Sequence, residues 1–203
     1  MASQFEAVPG GGAAIALDEV ETSILRSLAV QLLELLGPGE GPADASADPL
    51  DALFAEGPSK APSDPALARL LPDGYGDPAR PPADEAARVA QEEAAAEFRR
   101  FTENDLRAGK REHALAVVRA LDSMAVRGEG PAGVLKLDPQ QSRQWLGTLN
   151  DLRLAIAARL EISDEEDGEL LYRLPDDDAR KPMVMAYLWL GGLQETLLET
   201  LTP

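Results

Sequence analysis

Apolar residues repeat most regularly in the segment that begins at Trp145. They recur there after four, three, four and four positions, at Trp145, Leu149, Leu152, Ile156 and Leu160. This spacing places them in one stripe along an α-helix. Just upstream, Asp138-Pro139 is a typical helix start, because the Asp side chain caps the first amides and Pro has no N–H that needs a partner. The pattern predicts a long amphipathic helix whose apolar stripe, led by Trp145, faces the core.

Three other regions carry helical periodicity. The first begins at Asp18, a capping residue that is followed by Glu three positions later. The second covers residues 84–127 and is one long helix or two, with Gly109 as the expected position of a break. The last opens at Pro182. Their apolar stripes are, in chain order, Val20, Ile24, Leu28, Leu32 and Leu35; Ala87, Ala90, Ala94, Phe98 and Phe101; and Met183, Tyr187, Leu190, Leu197 and Leu201.

Two parts of the chain are typical of strands. Residues 5–8 and 13–17 flank the turn sequence Pro-Gly-Gly-Gly at residues 9–12, which predicts a small β-hairpin. Residues 134–137, Val-Leu-Lys-Leu, form a further strand candidate that is suited to pair with this hairpin.

The composition shifts to Pro, Gly, Ala and Asp between residues 37 and 82, which predicts a linker. Asp48-Pro49 and Asp64-Pro65 each predict a short helix inside it, since both pairs supply a cap followed by Pro. The patterns together predict an all-α, bundle-like single domain over residues 1–203. We expect about five main helices, with a small β-hairpin or short strands near the N-terminus.

Composition and charge narrow the functional class. The 203 residues include 36 Asp and Glu but only 19 Lys and Arg, for a net charge of -17, which disfavours nucleic acid as a partner. The chain has no cysteine, which excludes disulfides and thiolate chemistry and favours the cytoplasm. No stretch approaches the roughly 18 apolar residues of a membrane span. We therefore expect a cytoplasmic protein that does not enter the membrane.

Three motifs suggest ligand sites, and each lacks part of the required pattern. Gly128, Gly130 and Gly133 have the spacing of a dinucleotide-binding loop, but a helix precedes them and a strand candidate follows, which is the reverse of the required order. His113 is the only histidine, and the chain has no cysteine that could bind a metal with it, which favours a solvated side chain on a helix. The acidic run at residues 163–169 lacks the closing carboxylate of a calcium loop. The sequence thus predicts no catalytic residue, no cofactor and no metal.

Basic residues form an island in this acidic chain. Arg100, Arg107 and Arg111 share one helical face. They form a candidate docking stripe for an acidic partner, and the alternative is internal pairing with carboxylates such as Glu97 and Glu103.

Polar residues also interrupt the helix that begins at Asp138. Asn150, Asp151 and Arg153 follow Trp145 on this helix, and burial of these side chains would require partners. These four residues are a candidate interaction motif or a structural one. The structural interpretation, in which a carboxylate binds Arg153 and locks the helix packing, is favoured because no nucleophile accompanies them.

Four segments resemble an actinobacterial family called domain of unknown function 2017. They are residues 25–36, 97–102, 145–155 and 189–195, and the Leu-Asn-Asp-Leu-Arg sequence that ends at Arg153 is the most specific part. The resemblance implies a gene neighbourhood with the adaptor of the Clp protease and with a metalloprotease, sulfur-carrier and cysteine-synthase group. Members of that family are sometimes labelled transcriptional regulators.

Three functional hypotheses follow from these observations. The leading one is a non-enzymatic interaction or regulatory protein with a protein partner, linked through the resemblance to regulated proteolysis or sulfur handling. The alternatives are a DNA-binding transcriptional regulator, which the acidic charge disfavours, and an enzyme of unknown class that uses carboxylates or Arg153.

Overall fold

The computed structural model describes residues 3–38, 57–75, 81–127, 132–163, 167 and 171–202. Within them lie five helices and three strands, which confirms the expected helical fold with a small β addition. In chain order the elements are β1 (Glu6–Ala7), β2 (Ala13–Asp18), α1 (Glu19–Leu36), α2 (Pro65–Leu70), α3 (Glu85–Arg127), β3 (Ala132–Leu137), α4 (Pro139–Arg159) and α5 (Lys181–Leu201). None of the helices described is long and apolar enough to cross a bilayer.

The three strands form one antiparallel sheet in the order β1-β2-β3. The hairpin is confirmed, and β3 pairs with β2 in a register that joins Ala13 to Leu137. Three consecutive glycines make the turn, each with a φ near +90° (92°, 90° and 94°), a conformation that other residues rarely adopt. A side chain on Gly12 would also overlap the Leu137 carbonyl oxygen. The glycine run therefore serves both the turn and the close approach of β3.

The helix α4 lies at the centre of the fold and packs against all four other helices. Its predicted start is confirmed, because the Asp138 side chain accepts hydrogen bonds from two backbone amides and Gln141 completes a capping box. The predicted stripe is also confirmed, as all five of its residues are buried. Trp145 is 1% exposed and meets the Phe5 ring edge-to-face at 6.0 Å. The stripe belongs to one core cluster together with Ile15 and Leu17 of β2 and Leu135 and Leu137 of β3.

The stripe predicted for α1 is displaced around the helix. Asp18 and Glu21 form the expected capping box, but Val20 and Ile24 are exposed. The buried residues are Leu25, Ala29, Leu32 and Leu36. Leucines occupy several faces of this helix, so periodicity alone does not select the face that packs against α3.

The helix α3 runs without a break through Gly109, so residues 85–127 form one helix. Its 43 residues span roughly 65 Å. The predicted stripe on its first half is wrong, since Ala87 and Ala90 are exposed and Phe101 is 64% exposed. The buried residues are instead Ala95, Arg99 and Glu103. Arg99 and Glu103 form an ion pair on this face of the helix. Alanines offer too little apolar area to decide the orientation.

Two further helices, α2 and α5, pack against α4. Asp64 caps α2 as predicted for Asp64-Pro65, and Arg159 at the end of α4 holds the same carboxylate at 2.7 Å. The predicted helix at Asp48-Pro49 lies outside the described residues, as does most of the acidic run at 163–169. The helix α5 begins with Pro182 in its first turn, as predicted, and buries Val184, Leu190, Leu193 and Leu197, whereas Met183 of the predicted stripe is exposed.

Candidate functional site

A group of polar side chains lies between α4 and α5, and we call it the Arg153 cluster. Its members are Asn150 and Arg153 on α4 and Tyr187 and Gln194 on α5. Arg153 donates to Gln194 Oε1 at 2.6 Å, and Gln194 donates to Asn150 Oδ1 at 3.4 Å. The guanidinium also lies 5.1 Å from the centre of the Tyr187 ring, and its NH2 group is 3.4 Å from the phenol oxygen. Arg153 is therefore held by an amide and an aromatic ring.

The carboxylate that was expected to bind Arg153 is absent from the part of the chain that the structure describes. No ion pair involves its guanidinium there, and its buried Nε atom has no hydrogen-bond partner. Gly191 lies beside this nitrogen on α5, so that no side chain fills the adjoining space. The cluster thus contains a half-buried positive charge without a negative partner, contrary to the expected carboxylate lock.

Asp151 and Trp145 belong to different surroundings from Arg153, although all three lie on α4. Asp151 is buried and its Oδ1 accepts from Lys110 Nζ on α3 at 2.6 Å. Burial raises the pKa of this carboxyl, and Lys110 and the nearby His113 partly oppose that shift. Trp145 lies in the core. The structure therefore brings Asn150 and Arg153 together at α5 and places Asp151 against α3.

His113 packs between helices. It is half-buried, and its Nδ1 would come within 3.0 Å of a side chain added at Gly147 on α4. The sequence favoured a solvated histidine, but the close approach of α3 to α4 covers this ring. In the described ranges, no group of three or more His, Cys, Asp or Glu side chains is arranged to hold a metal ion.

Two of the three basic residues in the candidate docking stripe contact the end of α1. Arg107 donates to the Leu36 carbonyl at 2.6 Å, and Arg111 donates to the carbonyls of Leu33, at 3.1 Å, and Gly37. The last turn of α1 contains no basic residue of its own, so these guanidiniums from α3 satisfy its free carbonyls and its negative dipole end. Arg100, the third member, lies 6.0 Å from the centre of the Phe101 ring.

A row of charges on α3 is buried. The sequence offered pairing with Glu103 as the alternative to a docking stripe, but it did not predict that these charges would be buried. Glu103 is 2% exposed and binds Arg99 and Arg107, one turn before and one turn after it. Arg99 is 4% exposed and also holds Asp73 at 2.7 Å and the Leu71 carbonyl at 3.0 Å. The spacing of four residues was a visible signal for pairing. The burial comes from the chain after α2, which lies far away in the sequence.

An aromatic patch lies on the surface at the first half of α3, formed by Tyr75, Phe98 and Phe101. The rings of Tyr75 and Phe98 meet edge-to-face at 5.8 Å, and all three side chains are exposed. Gly74 lies so close to the Phe98 ring that an added side chain would overlap it. Phe98 and Phe101 are three residues apart and thus neighbours on the helix surface. The sequence assigned these two phenylalanines to the core.

The family of this chain follows from comparison with known sequences. The family described as domain of unknown function (DUF2017) matches residues 2–201. The chain belongs to this family. A protein of Mycobacterium leprae is 32% identical over 183 residues, which cover 88% of this chain and 77% of that protein. Proteins of Mycobacterium bovis and Mycobacterium tuberculosis named oxidative stress regulator AosR are 30% identical over 180 residues, with the same coverage of 88% and 77%. No solved structure matches the chain.

The two segments that carried the resemblance on α4 and α5 meet at the Arg153 cluster. Asn150 and Arg153 belong to the Leu-Asn-Asp-Leu-Arg sequence, and Gln194 belongs to the segment at residues 189–195. Arg153 and Gln194 are 41 residues apart in the sequence, and the antiparallel packing of the two helices brings them into contact.

Proposed function

We propose that this chain is a cytoplasmic regulatory protein that acts by binding another protein and not by catalysis. The relatives in Mycobacterium bovis and Mycobacterium tuberculosis are named as regulators, and the relationship covers 88% of the present chain, which supports a regulatory role here. The family resemblance supplies two settings for such a role, namely regulated proteolysis and sulfur handling.

The aromatic patch is the observation that carries this proposal. The chain has only nine aromatic residues, 4 Phe, 3 Tyr and 2 Trp, and three of them lie together on the surface. Phe101 is the most exposed of the three and has the Arg100 guanidinium over its ring. Aromatic and Arg side chains are enriched among the residues that dominate the energetics of protein interfaces. Aromatic rings in addition remove much apolar area from water with little loss of rotamer freedom. An exposed aromatic group of this kind is suited to a protein partner.

The test compares captured proteins from lysate with wild-type and variant chains as bait. Phe101→Ser should reduce a specific captured partner by about tenfold or more, if the ring fills a pocket on that partner. Leu106→Ser is the matched control, since Leu106 is also exposed on α3 but five residues further along, on a different face. Equal capture by wild type and Phe101→Ser would contradict the proposed surface. The identity of the captured protein distinguishes proteolysis from sulfur handling.

We do not extend the proposal to nucleic acid. The net charge of -17 opposes a phosphate backbone, and the Arg107 and Arg111 side chains bind the end of α1. A salt-dependent titration with duplex DNA tests this alternative directly, since a real DNA contact would weaken steeply as salt rises.

The absence of cysteine limits how the chain could respond to oxidants. The oxidative stress named for its relatives is a property of those proteins, and thiol oxidation is impossible in a chain with no cysteine. Methionine is the remaining sulfur-containing side chain. A response of this chain to oxidants would therefore depend on a group other than a thiol, such as a methionine, or on a partner that senses the oxidant.

A further inference from the structure

The positive charge of Arg153 differs in its surroundings from that of four other buried or half-buried cations described above. Three of these four each hold a carboxylate, and the fourth holds backbone carbonyls. The three are Arg99, Arg107 and Lys110, and the fourth is Arg111. Arg153 is held only by neutral side chains, although the chain has 36 Asp and Glu residues available for pairing.

The guanidinium has unused donors. Of its five N–H groups, one donates to Gln194 at 2.6 Å, one approaches the Tyr187 oxygen at a long 3.4 Å, and the buried Nε has no partner. A buried donor without a partner is costly and requires an explanation, such as a missing ligand. A planar fork with free N–H groups matches a carboxylate, which accepts two parallel hydrogen bonds.

The chemistry of the cluster favours a carboxylate over a phosphate. Arg153 is its one charged member, and Asn150, Tyr187 and Gln194 are neutral, so the cluster offers a single positive charge. A monoanion is matched by that charge, whereas a phosphate with nearly two charges would also be repelled by the net charge of -17.

Two exposed apolar side chains of α5 flank the cluster. Met183 lies four residues before Tyr187, and Leu198 lies four residues after Gln194, so both continue the same line of the helix. Both side chains are exposed. An acidic residue flanked by apolar residues would thus find a charge partner in the middle of the line and apolar contacts at its two ends.

We propose that Arg153 binds the carboxylate of an acidic side chain in an apolar segment of a protein partner. The site lies on the α4–α5 face and does not involve the aromatic patch of α3. If Arg153 does not bind a carboxylate, the proposed function still holds. Likewise, if Phe101→Ser does not reduce capture of a partner, the proposal for Arg153 still holds.

The probe is the capped peptide Leu-Glu-Leu, titrated into the isotopically labelled full chain while NMR follows the Nε–H group of Arg153. We expect a saturable shift of this signal, with Leu-Gln-Leu binding at least about tenfold more weakly, because a charged hydrogen bond is lost. Arg153→Lys keeps the charge without the planar fork. Followed through the backbone amides of α5, it should weaken binding by a similar factor. Arg143→Met, which removes an exposed Arg from α4, should bind as wild type does.

Several results would overturn the proposal. They are no saturable shift with Leu-Glu-Leu, equal binding of the Gln peptide, or equal weakening by Arg143→Met. Tighter binding of inorganic phosphate would assign the site to a different class of ligand. Binding of free acetate as strong as that of the peptide would mean that the apolar flanks contribute nothing, and that the site is not a docking surface for a protein segment.

Discussion

Glu103 allows the most direct test of how charge stabilises this fold. Its side chain is 2% exposed and lies between Arg99 and Arg107 on α3. The substitution Glu103→Gln keeps the size of the side chain and removes its charge. Arg99, which is 4% exposed, then retains the Asp73 carboxylate and the Leu71 carbonyl but loses its most buried partner.

The expected loss follows from the partners that remain. Removing one member of a buried ion pair destabilises a protein by about 3–5 kcal/mol, because the other charge stays buried without compensation. Here Asp73 is half-exposed and still pairs with Arg99, and Arg107 keeps the Leu36 carbonyl, so the full penalty does not apply. The new amide oxygen can accept from one of the two arginines, but the NH2 group then faces the other cation and cannot accept from it. We therefore expect the free energy of unfolding to fall by about 2–3 kcal/mol.

The assay is urea denaturation at neutral pH, followed by the fluorescence of Trp145 and Trp189. The matched control is Glu92→Gln, because Arg88 and Glu92 form the same four-residue pair on the same helix, with side chains 47% and 63% exposed. Exposed pairs are screened by water and contribute little, so this variant should unfold within the scatter of the wild-type curves. Equal losses in the two variants, or a loss below about 0.5 kcal/mol for Glu103→Gln, would refute the view that burial makes this charge row stabilising.

Three further predictions concern other parts of the chain. Trp145→Ala should lower the free energy of unfolding by about 3–5 kcal/mol in the same assay, since the ring fills the core, and a loss below about 1 kcal/mol would contradict that position. Gly109→Ala should stabilise the protein by about 0.5–1 kcal/mol, because the added methyl group meets no atom. Gly12→Ala should instead lower the free energy of unfolding by at least about 2 kcal/mol, because Gly12 has a positive φ and the added methyl group would overlap a carbonyl oxygen. Equal melting temperatures of the two variants would refute this contrast. Burial raises the pKa of Asp151 in the folded state, so its contribution to stability is complete below the ordinary Asp pKa of about 4 and is lost as pH rises through the raised value. Wild type should therefore lose stability relative to Asp151→Asn as pH rises above about 4, and a difference in the free energy of unfolding that does not change with pH would count against the raised pKa.

Local signals in the sequence were sufficient to predict where several helices begin and which face of α4 is buried. The caps at Asp18, Asp64 and Asp138 act within three residues, so the side chain that starts each helix is visible in the sequence. The stripe from Trp145 to Leu160 places five large apolar residues on one face of the helix, and all five are buried. The glycine run before β2 likewise predicts a turn, because few other residues adopt a positive φ.

The tertiary structure decided which faces of α1 and α3 are buried. Leucines surround α1, and the first half of α3 has only alanines and two phenylalanines as its apolar face, so neither pattern identifies one orientation. The buried face of α3 is selected by Arg99 and Glu103, whose charges become stable in the interior only when the chain at Leu71 and Asp73 covers and pairs with them.

The candidate sites depend even more on long-range packing. From the sequence, Asn150, Asp151 and Arg153 form one motif, but neighbouring positions on a helix point in different directions, and the structure divides them between α3 and α5. The partners of Arg153, Tyr187 and Gln194, lie 34 and 41 residues away in the sequence. The residues around Arg153 in the sequence therefore do not indicate that its partners are neutral. Sequence by itself determined where helices begin and which residues are polar. Whether a buried charge meets an opposite charge is a property of the assembled helices, because it depends on distances between residues that are remote along the chain.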